Sequence, residues 1–153
     1  MKEALDKFLN DFDIGALLPN LTKLGGWIEA IVRLAVMVGP IVLLVLGLLY
    51  LASPPKEANH SAGFRCWWGM ASLDAWQFTQ KTAGIIWTVL GTVLTLVMAI
   101  KSAQLANMEL PIMLDKAVAY LIWQAALAAV SYIAVNIAVI VVFDRRGFRR
   151  REK

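Results

Sequence analysis

The sequence contains a single cysteine, Cys66, and a single histidine, His60. One cysteine cannot form a disulfide within the chain, and one histidine cannot provide a metal site built from several histidines, so we expect no metal and no other cofactor. Charged residues make up 17% of the 153 residues and hydrophobic residues 59%, with a mean hydropathy of +0.65. Soluble domains carry more charge than this. The composition therefore predicts a protein whose solvent is the lipid bilayer.

Three long runs of the sequence contain no charged residue. The runs at 34–52 and 82–100 have nineteen residues each, and the run at 117–143 has twenty-seven. At a rise of about 1.5 Å per residue, nineteen helical residues cross a hydrocarbon core of roughly 30 Å. The longest run must tilt or extend beyond the core, and the Gly39–Pro40 step should kink the first run. We therefore predict an all-α integral membrane protein with three transmembrane helices.

Basic residues predict the orientation of these spans. The C-terminal tail, residues 144–153, contains five arginines and a lysine, and such clusters stay on the cytoplasmic side of a membrane. Three crossings then place the 53–81 loop in the cytoplasm, with Cys66 as a free thiol, and the N-terminus and the 101–116 loop outside. No signal-peptide pattern starts the chain, so the first span should be its own anchor. Because orientation accounts for the tail, we expect no binding to nucleic acid.

The N-terminal segment, residues 1–26, is predicted to form an amphipathic helix at the membrane interface. Pro19 and the Gly25–Gly26 pair are expected to end this helix. Acidic residues outnumber basic ones in the segment, which disfavours attraction to anionic lipid. Packing against the protein's own helices is the first interpretation, and docking of a partner protein is the second. The apolar face of the helix consists of Leu5, Phe8, Leu9 and Phe12.

Polar residues within the spans are few and uncharged. No span has an acidic residue, a lysine or an arginine near its middle, which argues against a proton-coupled pump or an ion path lined by carboxylates. A stripe of small residues on the second span is predicted to let another helix approach closely, and polar residues of the third span are predicted to form hydrogen bonds with neighbouring helices. The stripe consists of Gly84, Thr88, Thr92 and Thr95, and the polar residues are Gln124, Ser131 and Asn136.

The 53–81 loop combines polar and aromatic residues between two apolar runs. Ser72 is predicted to be the N-cap of a helix that has Asp74 in its first turn and continues into the second span. Trp67, Trp68 and Trp76 are predicted to lie at the membrane surface. Three partners are open for Arg65: a tryptophan ring, a lipid phosphate, or the carbonyl end of the first helix.

The order of residues in this loop resembles a motif of the SdpI family, whose members are small bacterial membrane proteins. The family motif runs approximately N-x-x-x-G-[YI]-R-T, then a Ser-Met-Lys-Asn segment, then W-x-x-A-N and a glycine. The chain departs from this motif where Cys66 replaces threonine, Gly69 serine, Ser72 asparagine and Gln80 asparagine. It matches the motif, at the family's spacing, at Asn59, Gly63, Arg65, Met70, Trp76 and Gly84.

The resemblance implies a non-enzymatic protein of the bacterial cytoplasmic membrane. Founding members of the family protect the producing cell from its own secreted membrane-active toxin, and they are thought to hold a cytoplasmic repressor at the membrane when toxin engages them. The chain is therefore expected to act in toxin immunity, in membrane signalling, or in both. The N-terminal helix and the 101–116 loop are the expected contacts for a peptide toxin. The 53–81 loop is the expected signalling surface.

Two other classes of function stay open. An accessory or assembly subunit of a larger membrane complex would use the same surfaces to contact a membrane protein partner, whereas a homo-oligomer alone would favour immunity. An enzyme is the weaker alternative, because a thiol dyad with an orienting acid would have to come from His60, Cys66 and Asp74 in one interfacial loop.

The predicted orientation can be tested with reporter fusions. A reporter placed after Lys153 should be active only in the cytoplasm, and one placed before Met1 only outside, because three crossings put the two ends on opposite sides. A phosphatase that needs disulfides reports the oxidising side, and a fluorescent protein that folds in the cytoplasm reports the other. Finding both ends on one side would contradict three crossings.

Overall fold

The computed structural model describes residues 14–58, 63–106 and 108–150, with side chains from residue 25 onward. These residues form three helices, which are α1, Ile14–Ala52; α2, Leu73–Leu105; and α3, Leu110–Val142. Each helix is long and apolar enough to cross a membrane, in α1 over Gly25–Ala52. This confirms the predicted all-α fold with three potential transmembrane helices. The amphipathic face predicted at Leu5, Phe8, Leu9 and Phe12 lies outside the described residues.

Helix α1 begins before the first predicted span. It runs without a break through Pro19 and Gly25–Gly26, so the prediction that these residues end an N-terminal helix is wrong. A glycine inside a helix costs only about 1 kcal/mol relative to alanine, and Pro19, the sixth residue of α1, costs about 3 kcal/mol through one lost hydrogen bond and the clash of its ring. The continuous hydrogen bonding on both sides of these residues is enough to offset such costs.

Helix α2 begins where the sequence predicts. Ser72 is its N-cap and accepts a hydrogen bond from the backbone N–H of Ala75 at 3.1 Å, with Asp74 in the first turn. The helix continues to Leu105, and α3 starts at Leu110, so residues 106–109 alone join the two helices. The predicted 101–116 loop is therefore wrong. Pro111 lies in the first turn of α3, where a missing N–H leaves no hydrogen bond unmade, so the proline starts a helix instead of marking a loop.

Helices α1 and α2 pack with their backbones in direct contact. A Cβ atom added at Gly47 would overlap the backbone of Thr88, and one added at Gly91 would overlap the backbone of Leu44. At Gly84 it would lie 2.9 Å from Cδ2 of Leu51. Small residues at such crossings let helices approach closely, and in lipid this van der Waals packing is a main source of association.

The small-residue stripe of α2 differs from the predicted one at a single position. Thr92 is exposed, and its hydroxyl donates to the carbonyl of Thr88 in the same helix at 2.7 Å. Its predicted place is taken by Gly91, because the step of seven residues from Gly84 changes the side-chain direction by only about 20°, whereas the step of eight to Thr92 changes it by about 80°. The hydroxyls of Thr88 and Thr95 are buried and have no hydrogen-bond partner within the described residues.

Helix α3 is joined to α1 by one buried amide. Pro40 has no N–H, so the carbonyl of Val36, four residues earlier, lacks its partner within α1. The side chain of Gln124 donates to this carbonyl through Nε2 at 3.0 Å. A Cβ atom at Gly39 would lie 2.7 Å from the Gln124 Oε1 atom, so Gly39 makes room for the amide. The interhelical hydrogen bond predicted for Gln124 is confirmed.

The other two polar residues of α3 bond within their own helix. Ser131 Oγ donates to the Ala128 carbonyl at 2.7 Å, and Asn136 Nδ2 donates to the Tyr132 carbonyl at 2.8 Å. The prediction that they bond to neighbouring helices is wrong. A short polar side chain reaches a carbonyl three or four residues earlier without any help from another helix, and Asn136 is only partly buried.

Two apolar clusters mark opposite ends of the bundle. At one end Val36, Met98 and Met113 are buried together beside the 106–109 link. At the other end Phe64, Val139 and Phe143 are buried together beneath the segment that joins α1 to α2. This second end, called the loop end below, therefore carries both the 53–72 segment and the chain that follows α3.

The Gln124 hydrogen bond gives a prediction that can be tested with a compensating substitution at Pro40. Gln124→Leu should lower the free energy of unfolding in detergent by about 2 kcal/mol, because it leaves the Val36 carbonyl buried without a partner. In the Pro40→Ala background the same change should cost about 1 kcal/mol less, since an alanine at that position supplies the missing N–H. Thermal unfolding followed by circular dichroism measures all four proteins.

Asn136→Leu is the matched control, because it removes a similar amide that bonds only to its own helix. It should change stability by less than about 0.5 kcal/mol. If Gln124→Leu lowered stability equally with and without Pro40, the loss of stability would not come from the Val36 carbonyl.

Candidate functional site

A buried glutamine holds the 63–66 segment against α2. Gln80 is fully buried. Its Oε1 accepts from the N–H of Phe64 at 2.8 Å, and its Nε2 donates to the carbonyl of Phe64 at 2.8 Å. The side chain thus satisfies both backbone groups of one residue, as a neighbouring β-strand would. Where the family motif has asparagine, this longer amide reaches a backbone sixteen residues away.

Gly63 and Trp76 complete this contact. Gly63 has φ +105°, a conformation that favours glycine. An added Cβ would lie 2.9 Å from both Gln80 Oε1 and Trp76 Cζ2. Trp76 is fully buried, so the prediction that it lies at the membrane surface is wrong; its Nε1 donates to the carbonyl of Pro55 at 2.8 Å. The three residues Gly63, Trp76 and Gln80 are therefore brought together, and we call them the loop clasp.

The Phe64 side chain connects the loop clasp to the other helices. Its ring lies edge-on to Trp87 of α2 at 5.4 Å and beside Tyr132 of α3 at 4.9 Å between centroids. Tyr132 also donates its hydroxyl to the carbonyl of Arg65 at 3.3 Å. Tyr50 of α1 packs on Trp87 at 5.7 Å. The loop segment is thus fastened to α2 and α3, and Tyr50 of α1 packs against the same cluster.

Cys66 lies in a tight turn beneath the loop. Its Sγ accepts from the N–H of Gly69 at 3.3 Å, and its carbonyl accepts from the N–H of Met70 at 3.1 Å. A Cβ at Gly69 would lie 2.5 Å from Thr79 Oγ1 and 2.8 Å from Cys66 Sγ, so the two family departures at 66 and 69 depend on each other. Burial raises the pKa of the Cys66 thiol, although the Gly69 hydrogen bond opposes the shift. The motif methionine, Met70, ends this turn and is partly exposed.

The chain after α3 folds back onto the start of α2. Asp144 Oδ1 accepts from the N–H groups of Arg146 and Phe148 at 2.9 and 3.0 Å. Gly147 then has φ +79°, and its carbonyl accepts from the Ser72 hydroxyl at 2.8 Å. An added Cβ at Gly147 would lie 2.6 Å from the Cβ of Ser72. One serine therefore caps α2 and binds the C-terminal turn.

Arg149 makes the second contact of this turn. Its guanidinium donates two hydrogen bonds to the Asp74 carboxylate, at 2.8 Å from Nε and 3.0 Å from Nη2. It also lies 5.7 Å from the ring centroid of Phe143, which is fully buried. A fork of this kind is more specific than a single charge contact. Arg149 thus has a structural partner beyond the general role predicted for the basic tail.

Sequence reasoning missed the docking of this turn. The local signal was available, because Asp144 and Gly147 stand at the first and fourth positions of a turn that favours those residues. No local signal pairs Arg149 with Asp74, which is 75 residues away. The last three residues of the tail, 151–153, lie outside the described part of the chain.

Two other motif residues, Arg65 and Gly84, are not part of the loop clasp. The Arg65 side chain is exposed and lines a pocket of about 550 Å³ with Leu46 and Tyr50. Within the described residues it stacks on no aromatic ring and donates to no carbonyl, so two of its three predicted partners are not found there. Gly84 lies at the α1–α2 crossing. Asn59 lies outside the described residues.

The residues proposed for a thiol dyad are not assembled in the described structure. Cys66 is buried, Asp74 is paired with Arg149, and His60 lies outside the described residues. Within the described ranges, no three His, Cys, Asp or Glu side chains form a group that could hold a metal ion.

Comparison with known families gives a match over more than half of the chain. A family model described as the SdpI/YfhL protein family matches residues 56–143. This range includes the loop clasp, α2 and α3, and it ends at Phe143 under the docked turn. Comparisons with curated proteins and with solved structures gave no match.

The loop clasp gives a prediction with a control on the same helix. Gln80→Glu should lower stability by about 2 kcal/mol, because a carboxylate cannot donate to the Phe64 carbonyl, which would be buried without a partner and would face a buried negative charge. The loop should then open, and trypsin should cleave after Lys56 or Arg65 at least several-fold faster in detergent. Gln77→Glu makes the same change at an exposed position of α2 and should leave both readouts unchanged. Equal cleavage of the two variants would contradict the clasp.

Proposed function

The chain belongs to the SdpI/YfhL protein family, and we propose that this SdpI-like membrane protein gives immunity to a membrane-active toxin and reports toxin binding through its loop end. In this proposal it acts by binding and not by catalysis. The loop end faces the cytoplasm, and the opposite end of the bundle faces the toxin.

The observation that carries the proposal is the fastened loop. The loop clasp, Tyr132 and the Ser72–Gly147 contact hold the 63–72 segment and the C-terminal turn as one surface. Surfaces that are ordered before binding lose less conformational entropy when a partner docks. Two large apolar side chains, Trp67 and Phe148, stand out from this surface with 82% and 64% exposure. Such a combination of order and exposure suits recognition of a protein.

Helix α3 offers a physical route between the two ends. Near its start Met113 is 2% exposed and packs with Val36 and Leu105. Near its end Tyr132 and Phe143 contact the loop and the docked turn. A toxin that displaces the start of α3 would move residues that the loop depends on. The exposed side chains available to a toxin there include Leu110, Ile112 and Leu114.

The state of Cys66 favours a binding role over thiol chemistry. A nucleophilic cysteine is reactive as the thiolate, which a lowered pKa provides. Burial has the opposite effect here, since it raises the pKa of Cys66 and stabilises the neutral thiol. The sulfur accepts the Gly69 hydrogen bond, which gives Cys66 a structural role in the turn.

The proposal is tested by survival of a sensitive bacterium. A strain that lacks immunity should survive the secreted peptide toxin of the family's founding immunity protein when it produces this chain. Gln80→Glu should reduce survival at least tenfold at an equal membrane level, because it opens the loop that reports toxin binding, and Gln77→Glu should not.

Isolation in mild detergent separates immunity from the subunit alternative. Immunity predicts the chain alone or with copies of itself. A stoichiometric large membrane partner, together with no gain in survival, would contradict the proposal and favour an accessory subunit.

A further inference from the structure

Two pockets lie side by side at the loop end and share Tyr50 and Pro55. The first, of about 320 Å³, is lined by Lys56 and Lys81. The second, of about 550 Å³, is lined by Arg65. The wall between them is held in place, because the Pro55 carbonyl accepts the hydrogen bond from the buried Trp76 indole. The two pockets are therefore built into the loop clasp.

The charge of these pockets has one sign. The three cationic side chains are exposed, and within the described residues none of them forms an ion pair. In contrast, Arg33 is paired with Glu29 and Arg149 with Asp74. No acidic residue is among the described residues that line either pocket, and Glu57, next to Lys56 in the chain, lines neither. Three cations around one rigid wall favour the binding of an anionic ligand.

The pockets are also lined by apolar side chains of α1. Leu46 and Leu49 line the second pocket, and Leu51 lines the first. Leu49 and Leu51 are 52% and 41% exposed on α1, where the hydrocarbon of a bilayer would lie. A ligand that fits must therefore be negatively charged at the loop end and apolar toward the membrane core.

We propose that these pockets bind an anionic glycerophospholipid from the leaflet at the loop end. Its headgroup lies at the shared wall of Tyr50 and Pro55, with Lys56 and Lys81 on one side and Arg65 on the other, and its acyl chains lie along Leu46 and Leu49. A lipid satisfies both the charge and the apolar side, whereas a free phosphate satisfies only the charge. Each cation near a membrane surface contributes roughly a fivefold gain in affinity for anionic lipid, so the three together select such a lipid from neutral neighbours.

The test counts lipids bound to the purified protein. The protein is placed in nanodiscs with equal fractions of phosphatidylglycerol and phosphatidylcholine, and native mass spectrometry counts the lipids that it retains. The wild-type chain should retain more phosphatidylglycerol than phosphatidylcholine. Lys56→Gln with Lys81→Gln should weaken this retention by roughly 25-fold, and Arg65→Gln by roughly fivefold, if the contributions are independent.

Matched controls separate the site from general charge and from misfolding. Lys101→Gln with Lys116→Gln removes the same charge at the opposite end of the bundle and should leave the preference intact. Thermal unfolding in a neutral detergent should be unchanged in all variants. The five substituted side chains are exposed or only partly buried, and none of them pairs with a described carboxylate.

Three outcomes would overturn the proposal. One is equal retention of the two lipids by the wild-type chain, and another is an equal loss in the control pair. The third is complete displacement of phosphatidylglycerol by excess glycerol 3-phosphate, which would show an anion site that does not recognise lipid. The result does not depend on whether the chain gives immunity, because no toxin is present.

Discussion

Lipid offers the polypeptide backbone no partner for a hydrogen bond, and the structure is organised around this constraint. Regular helices satisfy most of the backbone groups by themselves. One exception forced by the sequence within the spans is the Val36 carbonyl, which Pro40 leaves without a partner. Gln124 supplies the donor from α3 and thereby sets how α3 lies on α1. A proline and a glutamine that are distant in sequence thus act as one structural unit.

The same solution recurs at the loop end. There the backbone of Phe64 leaves regular structure while it is buried between helices, and the Gln80 side chain takes both of its polar groups. Gly63 and Trp76 are then restricted by the space around that amide. The motif residues are therefore required first by the folding of the loop. Any recognition by this family member would depend on them through the shape that they maintain.

The basic residues at the loop end have two distinct uses. Arg149 is committed to Asp74 and holds the C-terminal turn over Phe143. Lys56, Lys81 and Arg65 instead surround pockets that open beside the loop clasp. Positive charge near a span is usually explained by orientation in the membrane. Here the positions of the basic residues have further consequences. Arg149 stabilises the C-terminal turn, and Lys56, Lys81 and Arg65 form the proposed lipid site.

The sequence by itself determined the features that depend on local physics. Three uncharged runs predict three long helices, because the thickness of a bilayer sets the length of apolar helix needed to cross it. Ser72 predicts the start of α2, since capping involves only the next three residues. The loop motif predicts the family, whereas the contact of Gly63 with Trp76 and Gln80 is seen only in the structure.

Only the tertiary structure decided which faces meet and which side chains find partners. It placed Gly91 and not Thr92 at the α1–α2 crossing, kept the Asn136 amide within its own helix, and paired Arg149 with Asp74. Each of these depends on the rotation and separation of helices that are distant in sequence. Neighbouring residues of a helix, such as Gly91 and Thr92, point in directions about 100° apart, and nothing within a single helix fixes which of those directions faces another helix.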